Sequence, residues 1–372
     1  MMARIVVIGG GVIGCSITYH LRKAGAEVVL LERGEIGGEA SGAAAGMLMA
    51  PLEYASARDF QALQNASLAM YPVLIEEIES RSGINVEHRV CGILRTARAE
   101  THAKALRALV GRPAQGASGL EWVDAETLRR LEPGLSPDIL GAAYSPSASN
   151  VNPGLLTQAF AVSAEHLAAE VRRGVAFTGF LGRGPRLEGV RSSAGLVRAD
   201  AIVLAAGPWT ELLARRVNGN VPTPPMRGQM IAYRSTAVHH AVWSEDGYLV
   251  PKLRGFMFAG ATVEHAGFRK HTTERGITGL RRAAAAMVPA LRHSEVVSTW
   301  AGLRPGSPDG LPLMGRLPGR DNVYVAGGHF RNGILLAPVT GRLLAQLICE
   351  GRTDIDLGPF RPERFGCGPA TV

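Results

Sequence analysis

The sequence predicts an α/β fold, α+β overall, in which a parallel-sheet domain is joined to an antiparallel-sheet domain. Three observations predict it. Residues 5–8 are a β-branched run that leads through a glycine-rich turn and a helical stretch into a second apolar run at residues 27–31. Residues 226–299 alternate short apolar runs with turns, which is typical of an antiparallel sheet. A length of 372 residues is enough for about two domains.

Composition and charge argue against several classes of protein. Hydrophobic residues make up 46% of the chain and charged residues 19%, as in ordinary globular proteins. The net charge of +8 is scattered along the sequence without a block of basic residues, so no nucleic-acid partner is expected. The apolar stretch at residues 5–21 is too short to span a membrane and contains a turn, so neither a membrane span nor a signal peptide is expected. The four widely spaced cysteines predict reduced thiols, no metal site and a cytoplasmic protein.

The first motif is a glycine-rich turn between the first strand and the first helix. Gly9, Gly11 and Gly14 form the pattern G-x-G-x-x-G. In such a turn the first glycine permits a tight bend, the second lets the backbone approach a pyrophosphate, and the third lets the helix pack closely on the sheet. The helix N-terminus, with Val12 and Ile13, directs N–H groups and the positive end of its dipole at the phosphates. We therefore expect a Rossmann-like dinucleotide-binding domain.

An acidic residue ends the second strand. Glu32 stands 18 positions beyond Gly14, where this fold places an acceptor for the ribose hydroxyls. Its charge would repel the 2′-phosphate of NADP, so the sequence favours NAD or FAD. Arg33 follows it and is included in the expected cofactor site.

A segment of small residues, 37–47, decides between NAD and FAD. Its backbone can lie against a ligand and donate N–H groups, whereas a free linker would be more polar. An NAD-dependent dehydrogenase is disfavoured for this reason. The candidate cofactor-contacting residues here are Ala40, Ser41, Ala45, Gly46 and Met47.

The segment from Ser41 to Leu48 resembles the second flavin-contacting loop of the D-amino acid oxidase superfamily, and it is most similar to glycine oxidases of the thiazole-biosynthesis type. The resemblance implies that the first turn, the acid, this loop and a C-terminal segment together hold FAD. No cysteine lies in these segments, so non-covalent FAD is expected.

The resemblance covers nearly the whole chain and implies a discontinuous domain arrangement. The expected FAD-binding domain comprises residues 1–83, 147–220 and 300–360, the substrate-binding domain residues 84–146 and 221–299, and the tail residues 361–372. Within these limits the sequence predicts helices near 60–81, 99–110, 151–173 and 274–288, a surface loop at 111–119, and a buried strand at 199–206. The resemblance implies that this strand returns to the dinucleotide sheet.

Two arginines near the C-terminus follow or end glycine-rich strands. Arg304 lies in the turn sequence of residues 300–310, and Arg331 follows the strand at 323–328. Ligands of α/β folds lie at strand ends, and a planar guanidinium binds a carboxylate through two parallel hydrogen bonds. A solvated surface role is the alternative for each, and the turn contexts favour the ligand.

Both arginine motifs resemble those of glycine oxidases. The resemblance implies that Arg304 binds the substrate carboxylate, that Arg331 lies between substrate and flavin, and that Tyr248 hydrogen-bonds the carboxylate. A core tyrosine is the alternative for Tyr248. The implied C-terminal cofactor segment is Gly328, His329, Phe330, Arg331, Asn332, Gly333, Ile334 and Leu335. We expect His329 to contact the flavin through its backbone rather than to act as a base.

The resemblance implies oxidative deamination of glycine and of small amines or amino acids such as sarcosine and small D-amino acids. A neutral amine would bind, a hydride would pass to flavin N5 without a catalytic side chain, and O2 would be reduced to H2O2. The imine would be hydrolysed to glyoxylate and ammonia or passed to thiazole synthesis. Val263 stands where glycine oxidases can carry methionine, which leaves the substrate ranking open.

Other functions stay open. The first is a sarcosine, D-proline or D-amino acid oxidase or dehydrogenase of the same superfamily, because pocket shape separates such substrates by only about 1–3 kcal/mol per methylene. The second is a non-catalytic FAD-binding subunit of a complex, against which the predicted carboxylate-binding residues argue. The sequence does not decide between a monomer and a homo-oligomer.

Overall fold

The computed structural model describes residues 3–49, 58–110 and 119–366. The predicted loop at 111–119 lies outside the described residues apart from its last residue, and so does the predicted tail beyond residue 366. The helices are α1 (Val12–Lys23), α2 (Arg58–Ser82), α3 (Glu100–Val110), α4 (Ala125–Leu131), α5 (Pro153–His166), α6 (Thr210–Arg215), α7 (Glu274–Met287) and α8 (Gly333–Glu350).

The strands fall into four sheets. In chain order they are β1 (Arg4–Ile8), β2 (Glu27–Leu31), β3 (Met47–Leu48), β4 (Arg89–Val90), β5 (Ile93–Ala97), β6 (Glu121–Asp124), β7 (Gly141–Ser145), β8 (Ser149–Asn150), β9 (Glu170–Arg172), β10 (Phe177–Leu181), β11 (Gly189–Ser192), β12 (Gly195–Arg198), β13 (Ala201–Leu204), β14 (Pro225–Arg234), β15 (Ala241–Ser244), β16 (Gly247–Lys252), β17 (Phe256–Gly260), β18 (Val296–Pro305), β19 (Leu313–Arg316) and β20 (Val323–Gly327).

A six-stranded sheet has the order β19-β20-β13-β1-β2-β9, and all neighbours are parallel apart from β19 and β20. Helices α1, α2, α5 and α8 bury their apolar sides against one face of it. The antiparallel sheet of β10, β11 and β12 and helix α6 pack on the other. The structure confirms that the strand predicted at 199–206 returns to this sheet, since β13 pairs with β1.

An eight-stranded sheet has the order β18-β14-β17-β16-β15-β5-β7-β6, with α7 packed on one face. Its neighbours are antiparallel apart from β15 and β5. The strands come from two separate stretches of chain, residues 93–145 and 225–305, between which the chain returns to the parallel sheet. The predicted α/β class, with a discontinuous antiparallel domain, is confirmed.

The helix predicted to run to about residue 173 was wrong in its C-terminal part. α5 ends at His166, Ala168 has a left-handed backbone (φ 65°), and the chain then forms β9. β9 pairs in parallel with β2, so hydrogen bonds at the sheet edge outweigh the helical propensity of this alanine-containing stretch.

The expected domain boundary at residue 300 falls inside a strand. β18 runs from Val296 to Pro305 and pairs with β14, so residues 300–305 are part of the antiparallel sheet. Arg304 therefore ends an antiparallel strand and does not lie at a strand end of the parallel sheet. The remaining domain limits stay a prediction.

Among the described residues one helix, Phe330–Glu350, is long and apolar enough to cross a membrane. It is α8 with its preceding 3-10 turn, and 61% of its most apolar 18-residue stretch is buried inside the structure. It packs against α1 and α2 in the main apolar core, and Gly351 ends it with φ 73°. This burial is that of a core helix.

Candidate active site

One cavity of about 520 Å³ lies between the two large sheets. On one side it is lined by the carboxyl ends of four parallel strands, at Ile8, Leu31, Ala205 and Gly327. On the other side it is lined by residues of β14, β16 and β18 in the antiparallel sheet. Its volume falls in the range of roughly 300–1,000 Å³ that holds small ligands and cofactors.

The glycine-rich turn forms the first wall of this cavity. Gly9 has φ 114°, and a β-carbon there would lie 2.4 Å from the Ala205 carbonyl oxygen, so only glycine fits the turn. Gly11, Val12 and Ile13 line the cavity where α1 begins. Gly14 does not line it: a β-carbon on Gly14 would lie 1.9 Å from the Gly9 carbonyl oxygen, so this glycine allows the helix to sit against the turn.

Glu32 lines the cavity at the end of β2 and already accepts two backbone hydrogen bonds. Its Oε2 accepts from the Gly10 N–H at 2.6 Å and its Oε1 from the Gly34 N–H at 2.8 Å. A carboxylate has about four lone-pair sites, so two remain for ligand hydroxyls. Arg33 also lines the cavity, and its guanidinium carbon lies 4.0 Å from the centre of the Trp209 ring.

The small-residue loop passes between the two sheets. Ser41 caps α1, since its Oγ accepts from the Val12 N–H at 2.9 Å. Gly46 has φ 83°, and a β-carbon there would lie 2.1 Å from the Val151 carbonyl oxygen. Further along the loop, Ala43 accepts a hydrogen bond from the Trp300 indole N–H at 3.1 Å, which ties the loop to β18. The predicted residues Ala40, Ser41, Ala45, Gly46 and Met47 all line the cavity.

The C-terminal segment turns from β20 into α8 along the cavity wall. The residues from His329 to Leu335 line it, whereas Gly328 does not. A β-carbon on Gly328 would lie 2.6 Å from Leu313 Cδ1, and its φ is 67°, so it shapes the turn. Burial lowers the pKa of His329 to about 3, and its Nε2 lies 3.1 Å from Thr340 Oγ1. The ring is therefore neutral at physiological pH, and its Nε2 is paired with the Thr340 hydroxyl inside the core.

Arg304, Arg331 and Tyr248 line the same cavity. The Arg304 guanidinium donates to the Thr262 carbonyl oxygen at 3.0 Å and interacts with the Tyr248 hydroxyl, and with five N–H donors it keeps others for a ligand. The Tyr248 hydroxyl donates to Met230 Sδ at 3.3 Å, and burial raises the pKa of this phenol, which stays protonated. Arg331 lies with its guanidinium carbon 5.9 Å from the centre of the Trp243 ring. The structure thus brings the three predicted substrate-binding side chains to one space, and their roles stay predictions.

Sequence reasoning missed several cavity-lining residues outside the glycine turns and the arginine motifs. They include Gln64, Trp209, Gly228, Met230 and Trp243. The position of Trp209 in the turn directly after β13 is a weak indication of a site residue. The local sequence around the other four gives no such indication.

The residues fit bound FAD on three observations. Gly9 and Gly46 line the cavity at turns where a β-carbon would overlap the carbonyl oxygens of Ala205 and Val151, so backbone without side chains forms the wall there. Glu32 retains acceptor sites at the strand end where a ribose is expected. Gln64 carries a buried amide oxygen, Oε1, without a partner among the described residues. Among those same residues, no group of three or more His, Cys, Asp or Glu is placed to hold a metal ion.

Comparisons with known proteins agree with this geometry. Residues 4–347 match the family described as DAO, FAD dependent oxidoreductase. The glycine oxidase of Pseudomonas aeruginosa is 35% identical over 97% of this chain and 99% of its own. The bifunctional protein ThiO/ThiG of Nostoc is 33% identical over the whole of this chain, which spans 56% of that protein.

A solved structure shares the fold. The crystal structure of glycine oxidase from Geobacillus kaustophilus superposes with a TM-score of 0.90 at 31% identity, covering 98% of this chain and 99% of that chain. The predicted superfamily, fold and FAD dependence are confirmed by these matches. The chain belongs to the family of FAD dependent oxidoreductases named DAO.

Proposed function

We propose that this chain is an FAD-dependent oxidase of glycine and of other small amines or amino acids, among them sarcosine and small D-amino acids. The observation that carries the proposal is the placement of Arg304 and Tyr248 in the cavity lined by the predicted flavin-contacting segments. The name of the Pseudomonas aeruginosa relative supports glycine as substrate. A non-catalytic FAD-binding subunit would not need a guanidinium beside a buried phenol.

Arg304 would bind the substrate carboxylate. The Thr262 carbonyl oxygen holds one of its N–H groups and so fixes the guanidinium, and its remaining donors would bind the carboxylate. Tyr248 stays protonated because burial raises its pKa, and its O–H would donate to the same carboxylate. Together the two side chains would fix the acid group and so direct the α-hydrogen of the substrate.

The substrate amine would have to be neutral to react. Met230 and Trp243 give the cavity apolar walls, and a cavity that removes water from an ammonium group favours its neutral form. His329 would not take part as a base, since its buried ring faces Thr340. Bound FAD would supply the oxidising chemistry, as the acceptor of a hydride from the substrate carbon and the donor of the electrons to a further acceptor, for which we propose O2, with H2O2 as product.

The product imine would be hydrolysed to glyoxylate and ammonia or passed to thiazole synthesis. The name of the Nostoc relative, in which the region similar to this chain is part of a longer ThiO/ThiG protein, supports the second fate. We propose that the chain works in the cytoplasm.

A peroxide assay tests the proposal. Purified protein that carries FAD should produce H2O2 from glycine or sarcosine, and D-alanine and D-proline complete the substrate panel. Val263 lines the cavity with 59% of its surface exposed, and the comparison of glycine with sarcosine shows whether an N-methyl group is accepted. Yellow protein that makes no peroxide with any of the four, but is reduced by one of them without oxygen, would indicate a dehydrogenase.

A further inference from the structure

Gln64 carries an unsatisfied polar atom at the cavity wall. It lies on α2 with 3% of its surface exposed, and its Nε2 donates to Asn332 Oδ1 at 3.3 Å. Its Oε1 is buried and has no hydrogen-bond partner among the described residues. A buried acceptor without a partner costs about 1–3 kcal/mol, so its presence calls for a donor.

Two other polar side chains on this side of α2, Ser67 and Tyr71, find hydrogen-bond partners in the backbone of α8. Ser67, one turn along, donates to the Leu335 carbonyl oxygen at 2.7 Å and accepts from the Val339 N–H at 3.4 Å. Tyr71, a turn further, donates to the Ile334 carbonyl oxygen. Of these three side chains, only Gln64, which reaches the cavity, keeps an unsatisfied atom.

Gln64 is singled out by its position. Ten described side chains have a buried nitrogen or oxygen without a partner, and Gln64 is the one among them that lines the cavity. Its partner Asn332 belongs to the turn that precedes α8, in which the Asn332 N–H donates to the His329 carbonyl oxygen at 2.8 Å. Gln64 lines the cavity beside this turn, so a molecule bound in the cavity can supply the donor that its Oε1 lacks.

We infer that Gln64 positions the cofactor: its Oε1 accepts a hydrogen bond from bound FAD, while its Nε2 holds Asn332 and the turn. This inference rests on the proposed function, in which FAD fills the cavity. The donors that oxidised FAD offers outside its adenosine are the imide N–H of the ring and the ribityl hydroxyls. Both would satisfy the amide oxygen, and the experiment distinguishes them.

Gln64→Met tests the inference, because methionine has a similar length and no hydrogen-bonding amide. FAD is titrated into apoprotein by flavin fluorescence, and the spectrum and midpoint potential of the bound flavin are recorded. The expected result is a Kd about tenfold higher. The matched control is Ser67→Ala, which removes a hydrogen bond between α2 and α8 one turn away; it should lower stability and leave the Kd and the spectrum unchanged.

The two donors give different results. A contact to the ring N–H predicts that Gln64→Met also shifts the spectrum and the midpoint potential, whereas a contact to a ribityl hydroxyl predicts a higher Kd alone. An FAD analogue methylated at the ring imide nitrogen examines the first case in wild-type protein: it should bind more weakly than FAD, and Gln64→Met should reduce that difference.

A Kd within twofold of wild type in Gln64→Met would overturn the inference and leave the proposed function intact. An equal rise of the Kd in Ser67→Ala would also overturn it, since the effect would then come from helix packing. Wild-type apoprotein that takes up no FAD would instead contradict the proposed function, and with it this inference.

Discussion

The guanidinium of Arg304 lies over Gly228 on the neighbouring strand. A β-carbon on Gly228 would lie 2.2 Å from Arg304 Nη1, which is too short for a contact between the two atoms. β14 and β18 pair so that Met226 is opposite Arg304 and Gly228 opposite Gly302. The missing side chain of Gly228 therefore makes the space in which the guanidinium sits, with the Thr262 carbonyl oxygen as its hydrogen-bond acceptor.

Gly228→Ala should displace the Arg304 guanidinium and weaken substrate binding. We expect a KM for glycine at least about tenfold higher, as for the loss of a charge-assisted hydrogen bond, with FAD still bound. Steady-state peroxide assays measure the change. Gly279→Ala is the matched control, because a β-carbon there meets nothing within 4 Å, and it should leave the KM unchanged. An unaltered KM in Gly228→Ala would show that Arg304 does not bind the substrate from this position.

Gly14→Ala should destabilise the turn at the start of α1. The added methyl group would overlap the Gly9 carbonyl oxygen, and overpacking of this kind costs about 1–3 kcal/mol. Urea unfolding of the apoprotein and FAD titration should show lower stability and weaker binding together. Gly34→Ala is the control, since its β-carbon would lie 3.8 Å from Glu32 Oε1, an ordinary contact. Equal stability of the two variants would refute the packing role of Gly14.

Lys270 ties the antiparallel domain to the cofactor side of the cavity. Its Nζ lies 2.6 Å from Glu39 Oε2, and Phe268 in the same loop stacks on Trp209 with ring centres 5.4 Å apart. Lys270→Ala should raise the rate of FAD dissociation up to about fivefold, since exposed ion pairs contribute about 0–1 kcal/mol, and high salt should have the same effect. Lys23→Ala removes a comparable pair with Glu77 elsewhere and should not change the rate. Stopped-flow flavin fluorescence measures both.

Lys252 should give the stability of the apoprotein a pH dependence. Burial lowers its pKa from 10.5 to about 8, although Nζ donates to the Val151 carbonyl oxygen at 2.8 Å. The folded state therefore holds this proton less tightly than the unfolded state, and the cost of the buried charge is fully present below pH 8 and disappears as the pH rises toward 10.5.

Relative to Lys252→Met, the free energy of unfolding of wild type should therefore rise by about 2 kcal/mol between pH 8 and pH 10. Urea unfolding of both proteins across this range measures the difference. A constant difference between them would show that Lys252 keeps an ordinary pKa in the folded protein.

Sequence reasoning recovered the parts of the site that depend on local backbone geometry. The turn from Gly9 to Gly14 and the loop that ends at Met47 need glycine or small residues wherever the backbone approaches a neighbour, and such a need is visible in sequence. The same holds for the turn that contains Arg331. These segments could be placed in one site because each follows a strand.

What could not be predicted depends on contacts between distant segments. Gln64 hydrogen-bonds Asn332, which is 268 positions further along the chain, and nothing in the local sequence of α2 indicates that contact. The sequence does not distinguish Gly228 from other glycines in strands, because its role depends on the pairing of β14 with β18. The error in the predicted end of α5 has the same origin. The residues after His166 form β9, and β9 exists only through its pairing with β2.

Anaerobic reduction of the bound flavin by glycine tests whether Arg304 holds the substrate against the flavin. We predict that wild-type protein loses its flavin absorbance under argon when glycine is added. Arg304→Ala should do so only at a glycine concentration at least tenfold higher, which corresponds to about 1.5–3 kcal/mol of lost carboxylate binding. A wild-type flavin that stays oxidised with glycine, sarcosine, D-alanine and D-proline, or equal glycine dependence of the two proteins, would contradict it.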